Sequence, residues 1–151
     1  MIRILFICHG NICRSPMAEA ILKQMVRKNG MEEQFHIESR ATSREEEGND
    51  IYPPARRELE AHGVDYDRKR TATVIRKSEY AEYDYLICMD EQNVRNLMRI
   101  IGSDPDGKVS KLLDFTDHPQ DIEDPWWTGN YHKVWNQIEE GCDGFLSAAS
   151  R

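Results

Sequence analysis

The chain holds no apolar run long enough to cross a membrane, and its mean hydropathy of −0.72 agrees. It also lacks an excess of positive charge. Its 20 lysines and arginines are outnumbered by 27 aspartates and glutamates, for a net charge of −7, which argues against a nucleic-acid partner. The N-terminal apolar stretch is too short for a signal peptide and runs straight into Cys8, so the expected setting is the cytoplasm. Cysteine is sparse, at four residues. Without an export signal these are expected to be reduced thiols rather than disulfides. They also lack zinc spacing, since Cys8 and Cys13 stand alone with no second Cys/His pair of ligand type. Repeats, linkers and low-complexity segments are missing too. The 151 residues therefore read as one domain, 1–151, long enough to bury a proper core.

What the chain does have is concentrated in Cys8-His9-Gly10-Asn11-Ile12-Cys13-Arg14-Ser15. The apolar run Ile2-Arg3-Ile4-Leu5-Phe6-Ile7 before it reads as a buried strand. Pro16-Met17-Ala18-Glu19-Ala20-Ile21-Leu22 after it reads as a helix start. A cysteine thus sits at the tip of a strand, on a loop that ends at a helix N-terminus. The backbone N–H groups of such a loop, with the positive end of the helix, make an anion site. Gly10 and Asn11 tolerate the backbone angles this requires, and Pro16 costs nothing in a first helical turn. Arg14 adds a planar fork matched to two phosphate oxygens, where lysine offers a point charge. The same field favours the thiolate of Cys8, the form that attacks phosphorus. Ser15 is placed to donate a hydrogen bond to that sulfur, most usefully when it departs. A cysteine and an arginine at this spacing would be a weak signal alone. The strand before, the helix after and Gly, Asn, Ser and Pro in register make an idle strand-end thiol the poorer reading.

Along the chain, strand patterns fall at 2–7, 35–39, 84–89 and 109–113. Helical patterns fall at about 15–28, 53–62, 78–82, 91–101 and 131–149, the second opened by Pro53-Pro54 and stopped by Gly63. In the first helix Ala18, Ile21, Leu22 and Met25 share one face. Residues 68–72 read as a loop or short strand. Strands alternating with helices give an α/β domain, a parallel sheet with helices on both faces. The Cys8 loop then lies at the carboxyl end of a central strand, where open sheets of this kind bind ligands.

The stretch Ile4-Leu5-Phe6-Ile7-Cys8-His9-Gly10-Asn11-Ile12-Cys13-Arg14-Ser15-Pro16-Met17-Ala18-Glu19-Ala20 resembles the opening signature of the low-molecular-weight protein tyrosine phosphatases. Leu86-Ile87-Cys88-Met89-Asp90-Glu91-Gln92-Asn93 is similar to that family's strand-to-helix segment, and Asp124-Pro125-Trp126-Trp127 to its late Asp-Pro followed by aromatics. The resemblance runs from residue 1 to about 149, with the marks in the family's order. It implies a single domain of the Rossmann-like phosphotyrosine phosphatase I fold, with four parallel strands in the order 2-1-3-4. It also implies a metal-independent, cofactor-free phosphatase working through a cysteinyl-phosphate intermediate. Phosphotyrosine proteins would be its substrates and inorganic phosphate its product and inhibitor. A monomer is expected.

Carried over residue by residue, Cys8 is the nucleophile. Arg14, with His9, Gly10, Asn11, Ile12, Cys13 and Ser15, holds the phosphate, and Asp124 is the general acid. Taken alone, Asp124-Pro125 is a common turn. Beside an anion-filled loop, the carboxyl can keep a proton for the leaving oxygen and then take one from the attacking water. Trp126 and Trp127 fall where the family usually carries tyrosine. One is expected to pack into the core and Trp126 to form the pocket wall. Ser39 matches the serine that hydrogen-bonds the loop asparagine, here Asn11.

Three places depart from the family pattern. Arg40 replaces a small residue. The run Arg44-Glu45-Glu46-Glu47-Gly48 lies where many members carry an apolar wall, and it reads as a solvated loop. If Glu45 or Glu47 faced the pocket, it would repel acidic phosphopeptides and favour neutral or basic flanks. Arg68 stands where some members carry a histidine that supports the loop, and pointing to solvent it would weaken the hold on Asn11. Cys13 admits two readings, a buried packing residue or a partner that traps oxidised Cys8 as a disulfide. Cys88 and Cys142 read as core thiols. The His9 side chain reads as pocket rim, and His36, His62, His118 and His132 as surface or packing residues.

Three alternatives remain in view. A thiol-linked arsenate reductase of this fold needs a relay of further cysteines, and only Cys88 lies in a comparable region. A protein-arginine phosphatase carries a small polar residue after the loop asparagine, where this chain has Ile12. A phosphate-binding regulatory module would have no need of Cys8, Arg14 and Asp124 together.

Overall fold

The computed structural model describes residues 1–150. Its centre is β1 (Ile2–Cys8), apolar on both faces: Ile4, Phe6 and Cys8 join one core while Leu5 and Ile7 join another. A strand covered on both sides reads as a continuous apolar run, which is how residues 2–7 appear in sequence. β3 (Tyr85–Cys88) divides the same way, with Ile87 in the first core and Leu86 and Cys88 in the second. β2 (Phe35–Ala41) is an edge strand buried on one side, its Phe35, Ile37, Ser39 and Ala41 alternating with half-buried His36, Glu38 and Arg40. β4 (Val109–Lys111) forms the other edge. The four strands are all parallel, in the order β2-β1-β3-β4, with Ile2 opposite Phe35, Ile4 opposite Tyr85 and Leu86 opposite Val109.

The larger core lies under α1 (Arg14–Lys28), α2 (Pro53–Ala61) and α5 (Tyr131–Ala149), built around Phe6, Met17, Leu22, Leu59, Trp135 and Phe145. The smaller core on the opposite face takes Leu97 and Ile101 from α3 (Glu91–Ile101), together with Tyr83. α3 starts on a reciprocal cap. The Asp90 carboxylate accepts from Asn93 N–H at 2.7 Å, and the Asn93 side chain accepts from Asp90 N–H at 3.3 Å. α5 lies directly on the 3-10 turn Leu112–Phe115: a Cβ on Gly144 would sit 2.2 Å from the Phe115 carbonyl oxygen. No helix among the described residues is long and apolar enough to span a membrane.

The sheet order and the principal helices agree with the sequence reading, and the differences lie at element ends. β1 and β2 run on to Cys8 and Ala41, because they stay paired as far as Cys8 opposite Ala41. β4 stops at Lys111, because Leu112 and Leu113 turn inward beneath α5. Residues 68–72 form a loop, and the expected helix at 78–82 is the 3-10 turn Lys77–Glu82. One short helix has no counterpart in the sequence reading, α4 (Pro125–Thr128).

Candidate active site

β1 ends at Cys8, and the chain turns through residues 9–13 before α1 begins at Arg14. The turn depends on Asn11, the one non-glycine among the described residues with positive φ, at 59°. Its neighbours hold it there. The Asn11 amide nitrogen Nδ2 donates to Ser15 Oγ at 2.7 Å and to Ser39 Oγ at 2.9 Å. Its Oδ1 accepts from Thr73 N–H at 3.1 Å and from Arg70 Nη2 at 2.5 Å, and its backbone oxygen accepts from the same Nη2 at 2.9 Å. In this pose Asn11 N–H donates to Cys8 Sγ at 3.2 Å.

The hydrogen-bond directions follow from these contacts. Ser15 Oγ already accepts from Asn11, so its proton is free for Cys8 Sγ, 3.0 Å away. Ser39 likewise accepts from Asn11 and donates to Glu19 at 2.6 Å. Cys8 therefore faces two donors, the environment a thiolate needs. Among the described residues no side chain caps the start of α1, so its first N–H groups stay available to a ligand.

Arg14 is almost fully buried, and one edge of its fork is committed. Nη1 donates to Asp90 Oδ2 at 2.7 Å and to the Ile122 carbonyl at 2.8 Å. The other edge, Nη2, lies 3.6 Å from Asp124 Oδ2. Burial works against the charge, but Cys8, Asp90 and Asp124 outweigh it and hold the guanidinium above its ordinary pKa. Asp124 in turn caps α4, accepting from Trp126 N–H through Oδ1 at 3.0 Å. Its other oxygen is left facing Arg14. The preceding residue, Glu123, fastens this segment to α5: Lys133 Nζ lies 2.6 Å from its carboxylate and Asn130 Nδ2 donates to it at 2.9 Å.

Above these groups opens a cleft of about 350 Å³, within the usual range for small-ligand sites. It brings together Cys8, His9, Gly10, Ile12, Cys13, Arg14, Asp124, Trp126 and Trp127 from the sequence expectation. Asn11 within the loop, and Ser15 and Ser39 beside it, are buried and bonded to one another, as supports rather than lining. The tryptophan expectation needs correction. Neither indole packs into the core: Trp126 is 48% exposed and Trp127 79%. The four-residue α4 carries both outward as an edge-to-face pair with centroids 4.7 Å apart.

Two further corrections concern charged residues. Arg68 is exposed and lies over the Tyr66 ring, 4.7 Å from its centroid, and Arg70 supplies the support for Asn11. Asn11 thus keeps a strong hold, by a different residue from the one the resemblance marks. In the acidic run Glu45 lines the cleft, and so does Glu46; Glu47 turns to a separate groove. Arg40 pairs with Glu79 at 3.1 Å, away from the phosphate loop. No local motif singles out Arg70, Glu46 or Glu123. Asp90 is readable from the sequence as a cap, because it stands between the end of β3 and the start of α3.

Cys13 lies against Tyr131, with Sγ 3.7 Å from the phenol oxygen, and burial pushes its thiol up to about 12. Burial also raises the Cys88 and Cys142 thiols, in keeping with core positions. All four cysteines are free. Away from the cleft, Glu58, His62 and His132 cluster on the α2–α5 side with potential ligand atoms within 4.8 Å of one another. The His62 ring there is stacked on Trp135 at 4.2 Å, a packing role.

Comparison with known proteins gives one consistent result. Residues 3–151 match the family model described as low molecular weight phosphotyrosine protein phosphatase. The chain is 32% identical to the low molecular weight protein-tyrosine-phosphatase YfkJ of Bacillus subtilis, over 100% of this chain and 97% of that one. It is 36% identical to the human low molecular weight phosphotyrosine protein phosphatase, over 97% and 94% of the two chains. The crystal structure of YfkJ superposes with a TM-score of 0.95, covering 99% of this chain and 95% of that one. A Drosophila arginine phosphatase superposes at 0.88 with 28% identity, covering 98% of each.

Proposed function

The chain belongs to the low molecular weight phosphotyrosine protein phosphatase family and is a protein tyrosine phosphatase, and from that premise we propose how its own residues carry the reaction. Cys8 Sγ attacks phosphorus, and the bond to the aryl oxygen breaks. Asp124 gives that oxygen its proton, and the phosphoryl group remains on sulfur. The free edge of Arg14 and the loop N–H groups hold the three equatorial oxygens, whose charge grows in the transition state. Asp124, now a carboxylate, takes a proton from water as the water attacks the cysteinyl phosphate. Cys8 leaves as a thiolate, stabilised by the Ser15 hydroxyl and Asn11 N–H, and inorganic phosphate is released.

The observation that carries this reading is Cys8 Sγ, held by two donors at 3.0 and 3.2 Å on the floor of a cleft that Arg14 and Asp124 both line. Ile12 at the same cleft favours an aromatic ring over a guanidinium, which supports phosphotyrosine over phosphoarginine. Phosphoprotein substrates follow from the family, and the cytoplasm as working compartment is part of the proposal.

The test is phosphate release from an aryl phosphate in excess EDTA, with wild type and Cys8→Ser side by side. Turnover by wild type alone is expected. Turnover by Cys8→Ser, or loss of wild-type turnover in EDTA, overturns the mechanism. Phosphoarginine cleaved faster than phosphotyrosine would overturn the substrate assignment alone.

A further inference from the structure

The rim of the cleft carries charge that the chemistry on its floor does not use. The segment after β2 folds over the phosphate loop. Ser43 N–H donates to the His9 carbonyl at 3.0 Å, Glu45 N–H to Ser43 Oγ at 3.1 Å and Asn49 N–H to the Glu46 carbonyl at 2.9 Å. This path splits the charged run in two. Arg44 and Glu47 line a neighbouring groove with Arg40, Arg76 and Glu79, whereas Glu45 and Glu46 line the cleft. The two cleft-side carboxylates are thereby turned away from Arg44, the cation nearest in sequence.

Each is also held in place. The Glu46 stem lies against the phosphate loop, where a Cβ on Gly10 would stand 3.3 Å from its Cγ, and its carboxylate accepts from Asn49 Nδ2 at 2.7 Å. The exposed Glu45 carboxylate lies 3.2 Å from His9 Nε2. Trp126 and Trp127 also line the cleft, and their ring faces attract cations as well.

We propose that Glu45 and Glu46 form a subsite for a cationic side chain, so that the preferred protein substrates carry lysine or arginine next to the phosphotyrosine. The inference rests on the phosphatase reading above and specifies its substrates. Once the phosphate is seated on the loop, the residues flanking the tyrosine are confined to the rim. A basic flank meets two anions and two aromatic faces. An acidic flank meets the same anions as repulsion.

The experiment compares kcat/KM for three phosphotyrosine peptides of equal length whose flanking residues are Lys, Ala or Glu. For wild type at low salt the order Lys, Ala, Glu is expected, with at least about a tenfold spread that narrows as salt is added. In the double variant Glu45→Gln/Glu46→Gln the spread should fall to about twofold, the residue left by overall charge. Because the readout is a ratio between peptides, a general loss of turnover cancels. The same charge change at Glu32→Gln/Glu33→Gln, in the exposed turn at the opposite end of the strands, should leave the spread intact. Glu45→Lys should invert the order. Equal kcat/KM for the three peptides, a spread that survives the double variant, or equal loss in the Glu32/Glu33 control would each overturn the subsite. A wild type that cleaves free aryl phosphate but ignores the flanks overturns the subsite alone. One that cleaves neither substrate overturns the phosphatase reading with it.

Discussion

Removing Arg70 should damage catalysis although Arg70 itself does not line the cleft. Its Nη2 bonds both the backbone oxygen and Oδ1 of Asn11, at 2.9 and 2.5 Å. A hydrogen bond from a charged donor is worth about 1.5–3 kcal/mol, whereas the left-handed pose of Asn11 costs roughly 1–2 kcal/mol. In Arg70→Ala, Oδ1 keeps Thr73 N–H and the side chain keeps both serines, so the loop should loosen rather than collapse. A loss of about 1.4–2.8 kcal/mol corresponds to a 10- to 100-fold fall in kcat/KM. Inorganic phosphate should inhibit correspondingly less, because it binds the loop N–H groups whose orientation depends on Asn11. Arg70→Lys keeps the charge without the fork and should fall between. The assay is steady-state kinetics on an aryl phosphate for Arg70→Ala, Asn11→Ala and the double variant, with folding checked by circular dichroism. If Arg70 acts through Asn11, the double variant is little worse than the poorer single variant. Fully multiplicative losses, or unchanged kcat/KM and phosphate inhibition in Arg70→Ala, would refute the reasoning.

Asp124→Asn should lower kcat on phosphotyrosine by about 10²–10⁴ and much less on para-nitrophenyl phosphate, whose oxygen leaves without a proton. Equal losses on the two substrates would remove Asp124 from the acid role. Hydrogen bonds from Lys133, Thr128 and Asn130 hold Glu123 at about 2, below its ordinary 4.5. A carboxylate depressed in the folded state adds stability above its unfolded pKa and loses it as pH falls through the folded one. Melting curves of Glu123→Gln should therefore lose part of the wild-type decline between about pH 4.5 and 2, and superimposable pH profiles would contradict this. Gly144→Ala pushes a methyl to 2.2 Å from the Phe115 carbonyl and should cost roughly 1–3 kcal/mol, seen as a lower urea midpoint. An unchanged midpoint would mean that α5 shifts freely on the turn beneath it.

The phosphate loop is legible in sequence because local backbone chemistry dictates its key residue types. A tight turn needs Asn11, a helix start accepts Pro16, and an anion site wants Arg14; Gly10, expected to supply unusual backbone angles too, lies outside the left-handed region, and its missing Cβ instead leaves room for the Glu46 stem. The sheet order came with the resemblance, and the two-faced apolar run of β1 marks it as central. Arg70 is another matter. It reaches Asn11 across 59 positions of sequence, and nothing in Arg68-Lys69-Arg70 says which arginine turns inward. Only Arg68 stacking on Tyr66 and Arg70 bonding Asn11 decide it. The tryptophans mislead for a related reason. Large apolar residues usually pack inside, but a four-residue helix capped by Asp124 leaves both indoles at the cleft. In the acidic run, composition says solvent, and the turns made by Glu47 N–H to Arg44 O and Asn49 N–H to Glu46 O decide which glutamates face the site.

The arrangement around Arg14 explains why the acid and the anion site belong together. With Nη1 fixed by Asp90 and Ile122, the guanidinium cannot swing to follow a ligand. Its free edge already faces the Asp124 carboxylate at 3.6 Å. In the reaction proposed above, a phosphate seated on the loop takes that edge, so the anion and Asp124 share Arg14, and the carboxyl group lies beside the bond to be broken without a further element to bring it there. The Glu123 clamp to α5 fixes the segment that carries Asp124 and so preserves that spacing.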